Sequence, residues 1–184
     1  MAKPVTTISD VVTLMDRQQA ELLSRQPYSY PVGAVPPDGY RHLAVREVIG
    51  SGRPTFEQAA DKMLSWRMQE ASGFEVVASE AAVRPGVVAV LVMRLGPLRV
   101  TAPCRVIESS RDERRAGFTY GTLPGHPVSG QESFLVERHD DDTVTASVTA
   151  FSRPGRWFTW LAAPVLGIAQ ERAARGYIRV LRPG

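Results

Sequence analysis

The chain has 184 residues and only one cysteine, Cys104, so an intrachain disulfide is excluded. Cys104 lies in an apolar, strand-like run, where a free cysteine usually behaves as a small hydrophobic side chain. No local pattern ties it to a histidine or an acid. The sequence therefore excludes a disulfide-stapled miniprotein and does not favour a cysteine nucleophile.

Long apolar runs are also missing. The longest candidate, residues 87–93, has the length of a strand, whereas a membrane helix needs about 18 consecutive apolar residues. Residues 1–10 lack the apolar core of a signal peptide. We therefore expect a cytoplasmic protein without an integral membrane segment.

Lysine is nearly absent: the 22 basic residues are arginines except for Lys3 and Lys62. The net charge is +3 and the pI is about 9.3, but acidic residues are interleaved with the arginines. Even the densest basic stretch, residues 111–115, contains Asp112 and Glu113. Nucleic-acid binding uses a stripe of positive charge that neutralises many phosphates. This pattern is typical of a solvated mixed surface and predicts no nucleic-acid partner.

Motifs for metals and cofactors are lacking. The three histidines, His42, His126 and His139, are far apart in sequence, and no cysteine or histidine pair has zinc spacing. The Gly-Ser-Gly at residues 50–52 lacks the third glycine of a dinucleotide-binding turn. The sequence predicts neither a metal site nor a bound cofactor.

The N-terminal region predicts one helix and then an irregular segment. Apolar residues recur at near-helical spacing over residues 10–25, and Ser9 is a suitable N-cap. Residues 27–39 are rich in proline and glycine, and their tyrosines favour a strap over the domain rather than a free linker. We divide the chain into an N-terminal helical extension, residues 1–27, and a single α+β domain, residues 28–184.

For the domain itself, the pattern of apolar and turn residues predicts a strand, a helix, six more strands and a long last helix. The first strand covers residues 43–49, and the helix after it begins at the N-cap Thr55, with Gln58 at the capping-box position. The last helix covers residues 157–181 and is interrupted by Pro164. Strand alternation is expected over residues 74–83, 87–94, 98–108, 116–122, 131–138 and 144–152.

This order of elements predicts an α+β fold. A curved antiparallel sheet has one face to bury, and one long amphipathic C-terminal helix can cover it. Where sheet and helix do not meet, a cavity remains, which is the helix-grip architecture. The alternative is a β-barrel closed around the last helix, because such a barrel gives nearly the same order of elements.

Several motifs resemble one uncharacterised family of bacteria and plants, a domain of unknown function. Residues 117–127, Gly-Phe-Thr-Tyr-Gly-Thr-Leu-Pro-Gly-His-Pro, resemble its signature. Residues 130–134 resemble its Gly-Glu-Glu-x-Phe element, with Gln131 in place of the first glutamate. The similarity runs from about Tyr28 to Leu181. Further matching positions are residues 49–52, Phe56, Ala59, Trp66, residues 103–106, residues 150–154, Gln170 and Tyr177.

The resemblance implies a START-like, birch-pollen-allergen-like helix-grip fold. Members of that superfamily mostly bind apolar or amphipathic small molecules in the cavity between sheet and helix. The barrel alternative is similar to tubby-like or scramblase-like domains.

His126 is the main candidate for chemistry, because histidine titrates nearest neutrality and this one lies in a loop. The competing interpretation is a shaped Gly-His-Pro turn whose imidazole bonds the backbone. Glu132 could orient the imidazole, and Tyr120 could supply a hydroxyl to the same site. Ser152 and Arg153 end the next strand and could reach it too. A Ser152–His126–Glu132 hydrolase triad would lack the Gly-x-Ser-x-Gly elbow.

Arginine and tryptophan supply the other candidates. Arg105 stands within an apolar strand and, if it points inward, needs a carboxylate or an anionic ligand. Arg94 and Arg99 have the same ambiguity. We count Trp66 among the ligand-binding candidates through the resemblance. The aromatic cluster at residues 157–160 is expected to belong to the core.

Three functions remain open from the sequence. The first is a binding module for a hydrophobic or amphipathic small molecule. The second is an enzyme of the cyclase, hydratase or hydrolase kind that uses His126 with Glu132 or Tyr120. The third is a tubby-like domain that interacts with lipid or protein.

Overall fold

The computed structural model describes residues 12–33, 38–155 and 163–183. The strands are β1 (Thr13–Leu14), β2 (Arg41–Ser51), β3 (Glu75–Ala78), β4 (Val88–Leu95), β5 (Leu98–Arg111), β6 (Arg115–Thr122), β7 (Val128–Arg138) and β8 (Thr143–Pro154). The helices are α1 (Arg17–Arg25), α2 (Gly52–Met63), α3 (Arg67–Ala71) and α4 (Ala163–Leu181).

All eight strands form one sheet in the spatial order β1-β3-β4-β5-β6-β7-β8-β2. Strands β3 to β8 make an antiparallel meander, β2 returns antiparallel to β8, and β1 lies parallel to β3. β1 and β2 stand at opposite edges, so the sheet is open. The α+β helix-grip prediction is confirmed, and the alternative of a barrel closed around the last helix is wrong.

The inner face of the sheet packs against α2, α3 and α4. Strand alternation aligns side chains from neighbouring strands in rows, such as Phe118, Phe134, Val148 and Val45. Phe118 and Phe134 stack with ring centroids 4.8 Å apart, and the fully buried Trp66 meets Phe118 edge-on. Burial of these large side chains supplies most of the drive for helix and sheet to associate.

The N-terminal segment, residues 12–33, covers part of the outer face of the sheet. Tyr28 and Tyr30 cross β6 at Gly121, where an added Cβ would lie 2.7 Å from the Tyr28 ring. Tyr30 also donates a hydrogen bond of 3.0 Å to Gln131. Only glycine allows this close approach, so the expected strap over the domain is present in the described part of residues 27–39.

Two helices begin at other residues than the sequence predicts: α1 begins later, and α2 begins earlier. The N-terminal helix starts at Arg17 and not at residue 10, because Asp16 is its N-cap, accepting from the Gln19 backbone N–H at 3.0 Å. The residues before it, Thr13–Leu14, pair with β3. Helix α2 starts at Gly52, so Thr55 lies inside its first turn rather than at the cap.

The strand predicted over residues 74–83 is shorter, since β3 ends at Ala78. The other meander strands agree with the prediction to within a few residues at their ends. The predicted aromatic cluster at residues 157–160 lies outside the described residues. Across the described ranges, we find no helix that is both long enough and apolar enough to span a membrane.

Candidate functional site

A cavity of about 200 Å³ lies between the inner face of the sheet and α4. Most of its wall is aliphatic or aromatic, and a few polar side chains interrupt it. The apolar wall comes mainly from Leu43, Phe74, Leu91, Met93, Val100, Ala102, Val128, Ala150, Ala173 and Tyr177. The polar lining residues are Tyr120, Thr122, His126, Gln131, Glu132, Ser152 and Gln170, of which Gln131 directs its side-chain oxygen to Tyr30 on the outer face.

Glu132 and Tyr120 form the polar centre of this wall. The β6–β7 register places the two residues directly opposite each other, so both side chains lie on the inner face. The Tyr120 hydroxyl donates a hydrogen bond of 2.5 Å to Glu132 Oε2. Glu132 keeps some accessible surface, which faces the cavity, although protein packs densely around it.

Burial changes the acidity of this pair. Removal from water raises the pKa of the Glu132 carboxyl to about 7, and the hydrogen bond from Tyr120 opposes that shift. Burial raises the pKa of the Tyr120 hydroxyl well above its usual value, and the nearby Glu132 charge adds to the effect. A carboxyl that titrates near neutrality inside an apolar cavity is suited to proton transfer or to pairing with a charge.

His126 enters the cavity wall from the turn between β6 and β7. The His126 N–H donates to the Leu123 carbonyl at 3.1 Å, and Gly125, with a φ of 96°, takes the position where a type II turn needs a positive φ. The His126 Nδ1 atom lies 2.9 Å from the Val128 carbonyl oxygen and 3.1 Å from the Val128 backbone nitrogen. Burial lowers the pKa of the imidazole to about 4, so the ring is neutral at pH 7.

The imidazole therefore both bonds the backbone and lines the cavity. Among the described residues, no hydrogen bond joins His126 to Glu132 or to Ser152. The three members of the hydrolase triad each have another partner: Val128 for His126, Tyr120 for Glu132, and Gln170 for Ser152.

Ser152 links the sheet to the last helix. Its buried hydroxyl accepts a hydrogen bond of 2.9 Å from the Gln170 side-chain amide of α4. Gly130, its neighbour on β7, has no room for a side chain, because an added Cβ would lie 1.9 Å from the Phe151 carbonyl oxygen. The hydrogen bond from Gln170 fixes the distance between α4 and β8 at this part of the cavity, and the close approach at Gly130 fixes the spacing of β7 and β8.

Three of the predicted ligand-binding residues lie away from the cavity. Arg105 is on the outer face, where it donates to the Ser24 and Gln26 carbonyls at 2.6 and 3.0 Å and stacks on Tyr28 at 4.1 Å. Arg153 is exposed, with its guanidinium 5.1 Å from the Tyr40 ring centroid. Trp66 is packed in the core between α2 and α3.

Two other arginines, which the sequence left pointing either inward or outward, lie on the surface. Arg94 and Arg99 both pair with Glu75, at 3.2 and 3.4 Å, and all three side chains are exposed. Such exposed pairs contribute little to stability, and they do not reach the cavity.

Gln170 and Tyr177 line the cavity, although neither was predicted to bind a ligand. Gln170 stands three residues before Ala173 and seven before Tyr177, so the three share one face of α4. The sequence signal for this site was Gln170, a polar residue on an otherwise apolar face of the helix, and Tyr177 shares that face. Burial raises the pKa of the Tyr177 hydroxyl well above its usual value, and the Glu132 charge contributes to the shift.

Across the described parts of the chain, no group of three or more histidine, cysteine, aspartate or glutamate side chains is placed to hold a metal ion. The cavity instead combines an apolar wall with one titratable carboxyl, one neutral imidazole and several hydroxyls. That set can enclose an organic molecule, fix one polar end of it, and exchange a proton with it.

A sequence profile described as "Domain of unknown function (DUF1990)" matches residues 28–180. The chain belongs to this family. A DUF1990 relative, a UPF0548 protein of Deinococcus radiodurans, is 32% identical over 185 residues and covers 95% of this chain and 93% of its own. A UPF0548 protein of Arabidopsis thaliana is 28% identical over 148 residues, covering 75% of this chain and 70% of its own.

Solved structures similar to this DUF1990 protein show the helix-grip fold. A hypothetical protein of Helicobacter pylori superposes with a TM-score of 0.57 at 10% identity, over 86% of this chain and 95% of its own. Norcoclaurine synthase of Thalictrum flavum, in complex with dopamine and hydroxybenzaldehyde, superposes with a TM-score of 0.51 at 12% identity. The superposition covers 77% of this chain and 84% of the synthase. At such low identity the likeness concerns the fold alone.

Proposed function

We propose that the protein binds an apolar or amphipathic small molecule in the cavity between the sheet and α4. The observation that carries this proposal is the cavity of about 200 Å³, whose apolar wall contains the Glu132 carboxyl. A cavity of about 150 Å³ is large enough to hold benzene in another protein. The space between sheet and helix suits a molecule with one substituted ring or a short branched chain.

The distribution of polar groups supports an amphipathic ligand. Tyr120, His126 and Glu132 border the same space as Leu91, Ala102 and other aliphatic residues. Ligand sites of this kind combine a mainly apolar wall with a small number of polar groups that orient the ligand. The tubby-like alternative required a closed barrel, which the open sheet does not provide.

Indole is a suitable neutral probe, because it is apolar with one hydrogen-bond donor. Binding is measured by isothermal titration calorimetry. Ala150, directly opposite Glu132 in the β7–β8 register, lines the cavity, so A150F should fill the space and weaken indole binding about tenfold or more. The matched control is T149F. Because the Thr149 side chain is exposed, this change should leave the affinity for indole unchanged.

A second blocking variant, A173F on α4, makes the test independent of the folding of A150F. Circular dichroism establishes which variants are folded. Indole binding that is weakened by A150F or A173F and preserved in T149F supports the proposal. Equal affinity in all folded variants, or no binding of any apolar or amphipathic probe by the natural chain, overturns it.

Acid–base catalysis on a bound molecule is the second candidate function. It is favoured by the position of Glu132, whose carboxyl faces the cavity and titrates near neutrality. Glu132, with Tyr120, fits this role better than His126, whose pKa lies near 4. In heavy water, the carboxylate would take a methyl proton from acetophenone to give the enolate and the protonated carboxyl. The carboxyl would then exchange this proton for a deuteron of the solvent and return the deuteron to the same carbon.

Deuterium incorporation into acetophenone is followed by NMR. The natural chain should accelerate exchange, while E132Q and A150F should not. E108Q, on the exposed outer face, is the matched control and should exchange like the natural chain. Exchange that is equally fast with E132Q would exclude Glu132 as the base.

A further inference from the structure

The Glu132 carboxyl is densely surrounded by protein and has no counter-charge among the described residues. No lysine or arginine in the described ranges lies within 4 Å of its carboxyl. Tyr120 bonds Oε2, and Oε1 accepts no hydrogen bond from any described residue. A carboxylate taken out of water without an opposite charge costs several kcal/mol. The ionised cavity is therefore complementary to a positive charge.

The other titratable groups around Glu132 stay neutral near pH 7. They are Tyr120 on β6, Tyr177 on α4, Cys104 on β5 and His126 in the β6–β7 turn. Burial raises the pKa of the two hydroxyls and of the thiol, and lowers that of the imidazole to about 4. Among the described cavity groups, only Glu132 changes its charge between about pH 5 and pH 8.

We propose that Glu132 is the subsite for an ammonium group, so that the ligand of this cavity is an amphipathic amine. This inference rests on the proposed function. The ammonium N–H would donate to the free Oε1, while Tyr120 continues to hold Oε2. The rings of Phe74, Tyr120 and Tyr177 line the same cavity, and aromatic rings attract cations through their negative faces.

Benzylamine and benzyl alcohol provide a matched pair of probes. They have the same ring and almost the same size, but the amine is positively charged at pH 7. A hydrogen bond between two charged groups favours the amine, so it should bind about tenfold or more tightly at pH 8. Its affinity should fall about tenfold from pH 8 to pH 6, because protonation of Glu132 removes the negative charge.

Proton release gives a test that needs no variant. Binding of the ammonium should ionise Glu132, so at pH 6.5 the protein should release a proton on binding benzylamine. Calorimetry in two buffers with different ionisation enthalpies measures this number. Uptake of a proton, or no exchange, would overturn the proposal, since it would mean that the ligand binds the protonated carboxyl or ignores it.

Variants then assign the effect to one side chain. E132Q should lose the preference for benzylamine and keep its affinity for benzyl alcohol within about twofold. E108Q, on the outer face, should retain the preference. If E132Q binds both probes as the natural chain does, the ammonium subsite is wrong, whereas the proposed function stands. If neither probe nor indole binds the natural chain, the proposed function itself fails.

The chain contains one further cation near in sequence to the cavity strands, Arg156, which lies outside the described residues. R156Q tests whether it serves as the partner of Glu132. An unchanged preference for benzylamine in R156Q supports a ligand ammonium as the partner. A tenfold or greater gain in benzylamine affinity in R156Q would show that Arg156 pairs with Glu132 in the natural chain, and would overturn the proposal.

Discussion

Tyr120 donates a hydrogen bond of 2.5 Å to Glu132 across the β6–β7 ladder, inside the cavity. Because the bond favours the ionised carboxylate, it works against burial, which raises the pKa of Glu132 to about 7. Y120F should therefore raise this pKa further, by about one unit. The measurement is a carbon-13 NMR titration of the Glu132 carboxyl.

Y177F is the matched control for Y120F. The Tyr177 ring lines the same cavity, but its hydroxyl makes no hydrogen bond with the described residues, so the pKa of Glu132 should change much less. A carboxyl that titrates near pH 4.5 in the natural chain would show that burial does not raise the pKa of Glu132.

Glu132 should also make the folded chain less stable as the pH rises. Its pKa is about 7 in the folded chain against an ordinary value of 4.5, so the folded chain holds a proton that the unfolded chain has released. The stabilisation is complete below pH 4.5 and is lost as the pH rises through 7. In E132Q this loss, at most about 3 kcal/mol, should be absent from the free energy of unfolding in urea.

The control for this pH profile is E108Q. Glu108 is exposed and accepts a hydrogen bond from Thr119 on the outer face, so its replacement should leave the slope between pH 4.5 and pH 7 intact. Parallel profiles for E132Q and the natural chain would show that Glu132 ionises without cost.

His126 should act in the opposite direction. Burial lowers its pKa from 6.5 to about 4, so the unfolded chain takes up a proton before the folded chain does. The stabilisation is present above pH 6.5 and is lost as the pH falls through 4. H126N should remove this loss, of up to about 3 kcal/mol, in urea unfolding series between pH 7 and pH 4. H42N, at an exposed position, should retain it.

Two glycines provide a test of packing with opposite signs. An added Cβ at Gly130 would lie 1.9 Å from the Phe151 carbonyl oxygen, so G130A should destabilise the fold by about 2 kcal/mol or more. Gly176, inside α4, has no atom within 4 Å of an added Cβ. G176A should therefore stabilise the chain by up to about 1 kcal/mol. Equal effects of the two changes on thermal unfolding would contradict this assignment.

Much of the sheet could be predicted from the sequence, because two-residue alternation marks each long strand of the meander. β1 could not, since it has two residues and its partner Val77 lies more than sixty positions along the chain. The start of α1 was missed because Ser9 and Asp16 are both suitable N-caps, and the pattern alone does not choose between them.

The candidate site was predictable where sequence neighbours become strand neighbours. Tyr120 and Glu132 are twelve residues apart around one turn, and the ladder places them opposite each other. The side of the sheet that Arg105 occupies was not predictable, because Pro103 and the irregularity between Val106 and Glu108 disturb the alternation. The contact of Gln170 with Ser152 depends on how α4 lies on the sheet, which the pattern does not specify.

The short strand β1 has a consequence for how the chain can be divided. The family match begins at residue 28, yet β1 hydrogen-bonds the edge of β3, and Arg105 binds the carbonyls of Ser24 and Gln26. A chain shortened to begin at Tyr28 would leave the edge of β3 at Val77 and Ala78 without the partner strand that β1 provides. Such an open edge recruits strands from other molecules. We therefore expect a chain that begins at Tyr28 to self-associate more readily than a chain that keeps β1.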